Sequence, residues 1–401
     1  MSRTLTLLAL LSFTALPFPA NAKDVGTEDK PILITGKRLP DLQRALTACI
    51  ARDCPPNEEI DAALAVAENQ FVDGNYRGAR ATTLASIARN KRYAKSYPVA
   101  VSDLLRSNYR IAQHLGDGDA YRIGTFDTLS ALKAGLPDSD PRVLGGRLEI
   151  GDMYVRFGRI DEAVDEYASV ERSANKLGLY NLSGRSRLRI VALYAQLATI
   201  RPDQFKGDAR RNANFLIKSA DMHMKPFGEA ARVLMARMDA KSGDATAIDK
   251  LIADYRTLTA GNFPVLLYAP PIDPDARGRR ALPTDSQLNR SLAPNNYDGQ
   301  WVDIGFWITP DGKVSDADVL RGGMGPNTPD WARPILSAIG GRRYAPLNMD
   351  PSQPGTFRVE RYTLVARLTP VTGTRLVGRE PTPGIESVDL SVDSAPGPSA
   401  Q

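Results

Sequence analysis

The chain has 401 residues, enough for two or three separately cored domains, and 42% hydrophobic with 24% charged residues excludes wholesale disorder. Lys and Arg number 51 against 46 Asp and Glu, interspersed rather than blocked, which excludes a basic tract for nucleic acid and leaves solvated helix faces as their account.

In chain order, the first element is an export signal. Arg3 supplies a short positive region, Leu5 to Phe18 an apolar run too short to span a bilayer, and Ala20-Asn21-Ala22 the small residues before a cleavage point at Lys23. Residues 1–22 are therefore expected to leave a soluble, non-cytoplasmic protein with no stable membrane span. Residues 23–39 form an N-terminal arm containing the β-prone run Ile32-Leu-Ile-Thr-Gly-Lys-Arg38. Cys49 and Cys54 follow in Cys-Ile-Ala-Arg-Asp-Cys, ahead of Pro55-Pro56. In an oxidising compartment they are expected to close a short disulfide, since two thiols with no nearby third ligand do not make a zinc site.

Residues 40–260 read as amphipathic helices punctuated by Gly, Asp and Pro. The clearest pair places Ile150, Gly151 and Tyr154 on one helix, a turn at Gly158, then Ala163, Tyr167 and Val170 on the next. Ala63, Ala67 and Phe71 lead likewise into Asp73-Gly74-Asn75-Tyr76 and Ala79, with a weaker echo from Leu234 to Ile248. Small residues at helix contacts, aromatics between them and a turn glycine resemble the tetratricopeptide repeat (TPR), which implies stacked helical hairpins.

The stretch 261–296 is Pro-rich and reads as a linker, opening with a possible strand at 263–268. Trp301 to Thr309 then alternates, with Val302, Ile304, Phe306 and Ile308 on one face. Pro310-Asp-Gly-Lys is a tight turn and Val314 to Leu320 the return strand. A helix is expected over 331–339, a strand over 358–369, and a disordered tail over 371–401.

That order, with Asp311-Gly312-Lys313-Val314, Val319, Trp331 through Ala338 and Arg342-Arg343-Tyr344-Ala345-Pro346, resembles the C-terminal domain of the TonB family. Arg342 stands where that family has Trp, and Tyr344 where it has Phe. The resemblance covers residues 297–370 and implies a small α+β fold in a Gram-negative periplasm, binding extended segments by strand addition. The cleavable signal and helical repeats depart from the family's membrane-anchored form. The expected fold class is thus multidomain, a TPR-like α-helical solenoid followed by a TonB-like α+β domain. Expected partners are periplasmic or outer-membrane proteins, including a TonB-dependent receptor segment. The candidate peptide-binding edge is Arg358, Arg361, Thr363, Val365 and Arg367 on the last strand; occupation of that edge by the tail or by 263–268 stands beside it as an alternative.

A search for chemistry finds no catalytic, cofactor or metal motif. His114 and His223 are far apart, Gly116-Asp-Gly-Asp119 lacks the oxygen ligands of a calcium loop and reads as a helix stop with an N-cap, and Gly322-Gly323-Met-Gly325 lacks a following Lys. A non-enzymatic interaction scaffold is the expectation, with a part in outer-membrane transport as the alternative.

Overall fold

A computed structural model describes residues 38–241, 246–255, 264–270, 272, 299–323, 329–365, 368–370, 377–379 and 383–391. The signal segment 1–22, the 32–37 run and most of the 261–296 stretch lie outside the described residues. The chain divides into two compact units, the division falling at Arg232.

The first unit is helical. It runs α1 (Leu39–Ala51), α2 (Pro56–Val72), α3 (Tyr76–Asn90), α4 (Pro98–His114), α5 (Gly118–Gly135), α6 (Pro141–Arg156), α7 (Ile160–Lys176), α8 (Tyr180–Ala198), α9 (Pro202–Ile217) and the start of α10 (Lys225–Lys241). Proline opens α2, α4, α6 and α9, where its missing N–H costs nothing. Gly74, Gly116 and Gly158 recur at intervals of 42 residues, each at a φ between 71° and 77°. Each closes its helix with the same pair of bonds, Gly74 N to Phe71 O with Asn75 N to Gln70 O, Gly116 N to Gln113 O with Asp117 N to Ala112 O, and Gly158 N to Val155 O with Arg159 N to Tyr154 O. Asn75 and Asp117 then cap the following helix through their side chains, so the 116–119 stretch is a helix stop and start.

These turns define hairpins α2/α3, α4/α5 and α6/α7, α8 packs on α9 as a fourth, and each second helix packs on the first helix of the next hairpin. The first helices also touch one another, α2 with α4 and α6 with α8. Hairpins stacked in this way form TPR-like helical repeats. Their interiors trade large for small. In α6/α7 the buried Tyr167 fills the space that Gly151 leaves, and a Cβ at Gly151 would collide with its ring. In α4/α5 the sizes are exchanged, since Gly124 on the second helix takes Tyr109 from the first, where an added Cβ would stand 2.6 Å from the tyrosine Cβ.

The second unit begins in the latter half of α10 and includes α11 (Thr246–Tyr255) and β1 (Leu266–Tyr268). Val233, Leu251, Leu267 and Ala345 form one buried cluster there, and Arg237 donates to the carbonyl of Leu267 at 2.9 Å. Its main sheet contains β2 (Trp301–Ile308), β3 (Val314–Gly322), β5 (Thr356–Val365) and β8 (Gly384–Asp389), all antiparallel, in the order β3-β2-β5-β8. β4 (Arg343–Tyr344) pairs with β1; a separate pair, β6 (Leu368–Pro370) with β7 (Val377–Arg379), is grouped with the first unit. The alternating residues Val302, Ile304, Phe306 and Ile308 lie fully buried under α12 (Arg333–Gly340), packed with Ile335, Ile339 and Tyr362. Gly312 makes the β2–β3 turn at φ +80°, where a Cβ would strike the Tyr344 carbonyl.

Three sequence expectations need correction. The segment 371–401 is not uniformly a tail, because 384–389 forms β8, paired in register from Glu360–Asp389 to Val365–Gly384. The unit starts before 297, since α11 and β1 contribute to its core. The proposed edge strand is also internal. β5 is hydrogen-bonded on both sides, by β2 and β8, so no row of N–H and C=O groups is open along 358–365. A β8 strand that pairs with β5 is worth more than an exposed edge, which leaves backbone polar groups to water. The edge is thus filled from within.

Candidate functional site

The residues first assigned to a peptide edge serve as structural parts. Arg361 is fully buried and holds Asp303 through two bonds of 2.6 and 2.9 Å, with its guanidinium 3.8 Å from the centre of the Trp301 ring. Arg321 reaches the same carboxylate at 2.7 Å. Thr363 and Val365 are buried, Arg358 pairs with Asp389 of β8 at 2.9 Å, and Arg367 lies outside the described residues. On the helix side, Arg342 donates to Glu360 at 2.8 Å and Tyr362 at 2.7 Å, so the motif position where Trp was expected is held by a polar clamp over the Phe306 ring. The outer strand β3 is broken by two register shifts and exposes Asp316 and Asp318, a charged and irregular border.

Cys49 and Cys54 are joined by a disulfide, with Cα atoms 5.2 Å apart across the α1–α2 turn. Glu58 brings a third ligand-type atom within 4.8 Å of the sulfurs, which sequence spacing did not suggest. Both sulfurs are nevertheless bonded to each other, and Glu58 accepts from Arg52 at 2.9 Å. His114 is buried between the rings of Phe71 and Tyr76, and His223 is exposed, held by Asp221 at 2.8 Å and stacked on Tyr180. The two histidines share no site.

Among the described residues, side chains converge instead on the first helices of successive hairpins. α6 presents Gly145, Glu149 and Asp152 at a spacing that puts them on one face. Glu149 accepts from Arg106 of α4 at 2.7 Å and lies 3.6 Å from Arg110, while Arg106 also reaches Asp103. Asp152 takes two bonds from Arg189 of α8, at 2.9 and 3.2 Å, and a third from the Tyr167 hydroxyl at 2.6 Å. Tyr167 reaches that carboxylate because Gly151 lets the phenol lie against α6. Burial pushes the phenol pKa of Tyr109 and of Tyr167 upward, with Glu149 and Asp152 respectively adding to the effect, so both remain protonated. An added Cβ at Gly145 would meet open space, so the face is accessible beside its carboxylates. The result is a strip of fixed, alternating charge across α4, α6 and α8.

Sequence reasoning missed this strip. Arg189 and the acids at 149 and 152 were visible, but Asp152 pairs with Arg189 across 37 residues and Glu149 with Arg106 across 43.

No protein-family model matches the chain, and no curated protein does. Among solved structures it is similar to a kinesin light chain from Podosopora anserina with nearly identical TPR-like repeats, and to a point variant of it. Each is 15% identical, covering 51% of this chain and 96% of the other, at TM-scores of 0.38 and 0.40. Scores this low do not assign the repeats, which stand on the hairpin geometry. By that geometry the chain is a TPR-like helical-repeat protein with a small antiparallel-sheet unit.

Proposed function

We propose that this is an exported, non-enzymatic scaffold that binds another protein across the first-helix face of its repeats. The observation that carries it is the strip from Arg106 through Glu149 and Asp152 to Arg189, ordered by cross-helix ion pairs and open at Gly145. Stacked hairpins present such faces because each contributes one helix to a continuous surface. Export is supported by the three-part signal pattern of residues 1–22 and agrees with a disulfide at Cys49–Cys54.

A photo-crosslinking amino acid at position 145 tests the reading, with the exposed position 172 on α7 as control. Protein adducts in cells are expected from 145 and not from 172. Equal adducts from both positions, or none from 145, would overturn it.

The TonB-like resemblance enters the same proposal as the origin of the C-terminal unit, supported by the order β2, β3, α12, β5. A transport role would require an energising membrane partner. Recovery of an inner-membrane complex with the intact protein would favour transport over the scaffold reading.

A further inference from the structure

The charges of the first-helix face do not balance. Arg106, Arg110, Arg185 and Arg189 lie there with Asp103, Glu149 and Asp152, four cations against three carboxylates. Arg106 and Arg189 are engaged by Glu149 and Asp152. Arg110 reaches Glu149 only at 3.6 Å and leaves 63% of its side chain exposed. Arg185, one turn before Arg189 on α8, is exposed and makes no ion pair among the described residues. Two of the four cations are therefore poorly compensated, and they stand on separate helices with Glu149 and Asp152 between them.

We propose that this face receives an acidic segment of the protein partner, its carboxylates binding Arg110 and Arg185. The inference rests on the scaffold reading and adds the chemistry of the partner. An acidic peptide fits better than a nucleic acid, because the carboxylates of Glu149 and Asp152 repel an unbroken polyanion while separated side-chain carboxylates can straddle them. The open space at Gly145 leaves room for an extended backbone beside α6. Arginine also suits the task, since its planar fork receives a carboxylate through two parallel bonds.

The full chain is titrated with a fluorescein-labelled peptide of glutamates spaced by Gly and Ser, read by fluorescence anisotropy. A lysine counterpart and single-stranded DNA serve as controls. The acidic peptide is expected to bind, and to weaken as added salt screens the contacts. Arg110→Ala with Arg185→Ala together should weaken it roughly tenfold, two surface ion pairs being lost. Arg185→Lys should retain part of the affinity, and circular dichroism should show unchanged helicity in every variant. Absence of binding at low salt, an unaltered affinity in the double variant, or tighter binding of the DNA would overturn the proposal. Crosslinks from position 145 that persist while the peptide fails would sink the acidic chemistry and leave the scaffold; loss of both would sink the two together.

Discussion

The helical unit and the sheet unit both rely on arginine–carboxylate pairs, in opposite surroundings. Arg189 and Asp152 keep 16% and 31% of their side chains in solvent, whereas Arg361 and Asp303 keep 0% and 1%. A stack of hairpins leaves one side of each first helix at the surface, so its ion pairs stay near water. In the sheet, β2 and the 361–365 half of β5 are internal and buried on both faces, so a charge placed there must find its partner inside. Bonds of similar length should thus differ severalfold in what they contribute, because desolvation rather than distance sets the cost of losing one partner.

The molecule offers a clean way to test this, as all three tryptophans, Trp301, Trp307 and Trp331, belong to the sheet unit. Their emission reads that unit, while far-ultraviolet circular dichroism reads mainly the helices. The largest effect is expected from Asp303→Ala, which leaves Arg361 buried without its carboxylate and should cost about 3–5 kcal/mol in urea unfolding followed by tryptophan emission. Asp152→Ala, followed by helicity, should cost about 1 kcal/mol. Equal costs would break the comparison.

Gly151→Leu comes next. The new side chain must displace the buried Tyr167 ring, at about 1–3 kcal/mol of overpacking, visible as an earlier loss of helicity with tryptophan emission unmoved. A variant that melts like the parent would mean that α6 and α7 can part without penalty. Cys49→Ser opens a small loop at the α1–α2 turn and should lower helical stability by about 2 kcal/mol, again without altering the sheet unit. Thiol labelling of the unreduced, denatured parent should modify neither cysteine.

The smallest expected effect is the acid dependence that Glu59 lends the helices. Burial raises the pKa of Glu59, but hydrogen bonds from Arg89, Asn90 and Ser86 outweigh it and hold the carboxyl below 4.5. Its contribution is therefore complete above that value and declines as pH falls further, through the folded-state pKa. Helical stability should drop over this window in the parent and less steeply in Glu59→Gln. Identical slopes would assign the acid sensitivity elsewhere.

Local chemistry alone determined much of this protein. The turn glycines at 74 and 158, the helix stop at Gly116, the alternation of β2 and the Pro310-Asp-Gly-Lys turn were legible because each depends on neighbours within one helical turn or one hairpin. Backbone sterics and side-chain period act over just that range. Export and partner binding were expectations drawn from sequence, and both remain proposals, the second tested by crosslinking.

Tertiary structure decided what spacing could not. The sequence showed Arg361 on the face of a strand opposite its apolar residues, and such a face ordinarily meets solvent; only the register of β5 on β2 sets it opposite Asp303, 58 residues away, beside the Trp301 ring. A segment rich in Gly, Pro and Ser likewise supplied an ordered strand, since β8 gains its hydrogen bonds from β5 rather than from its own composition. The charged face of α4, α6 and α8 arises in the same manner, because a helix fixes which of its side chains share a side, and only the stacking of hairpins fixes whose charge lies opposite.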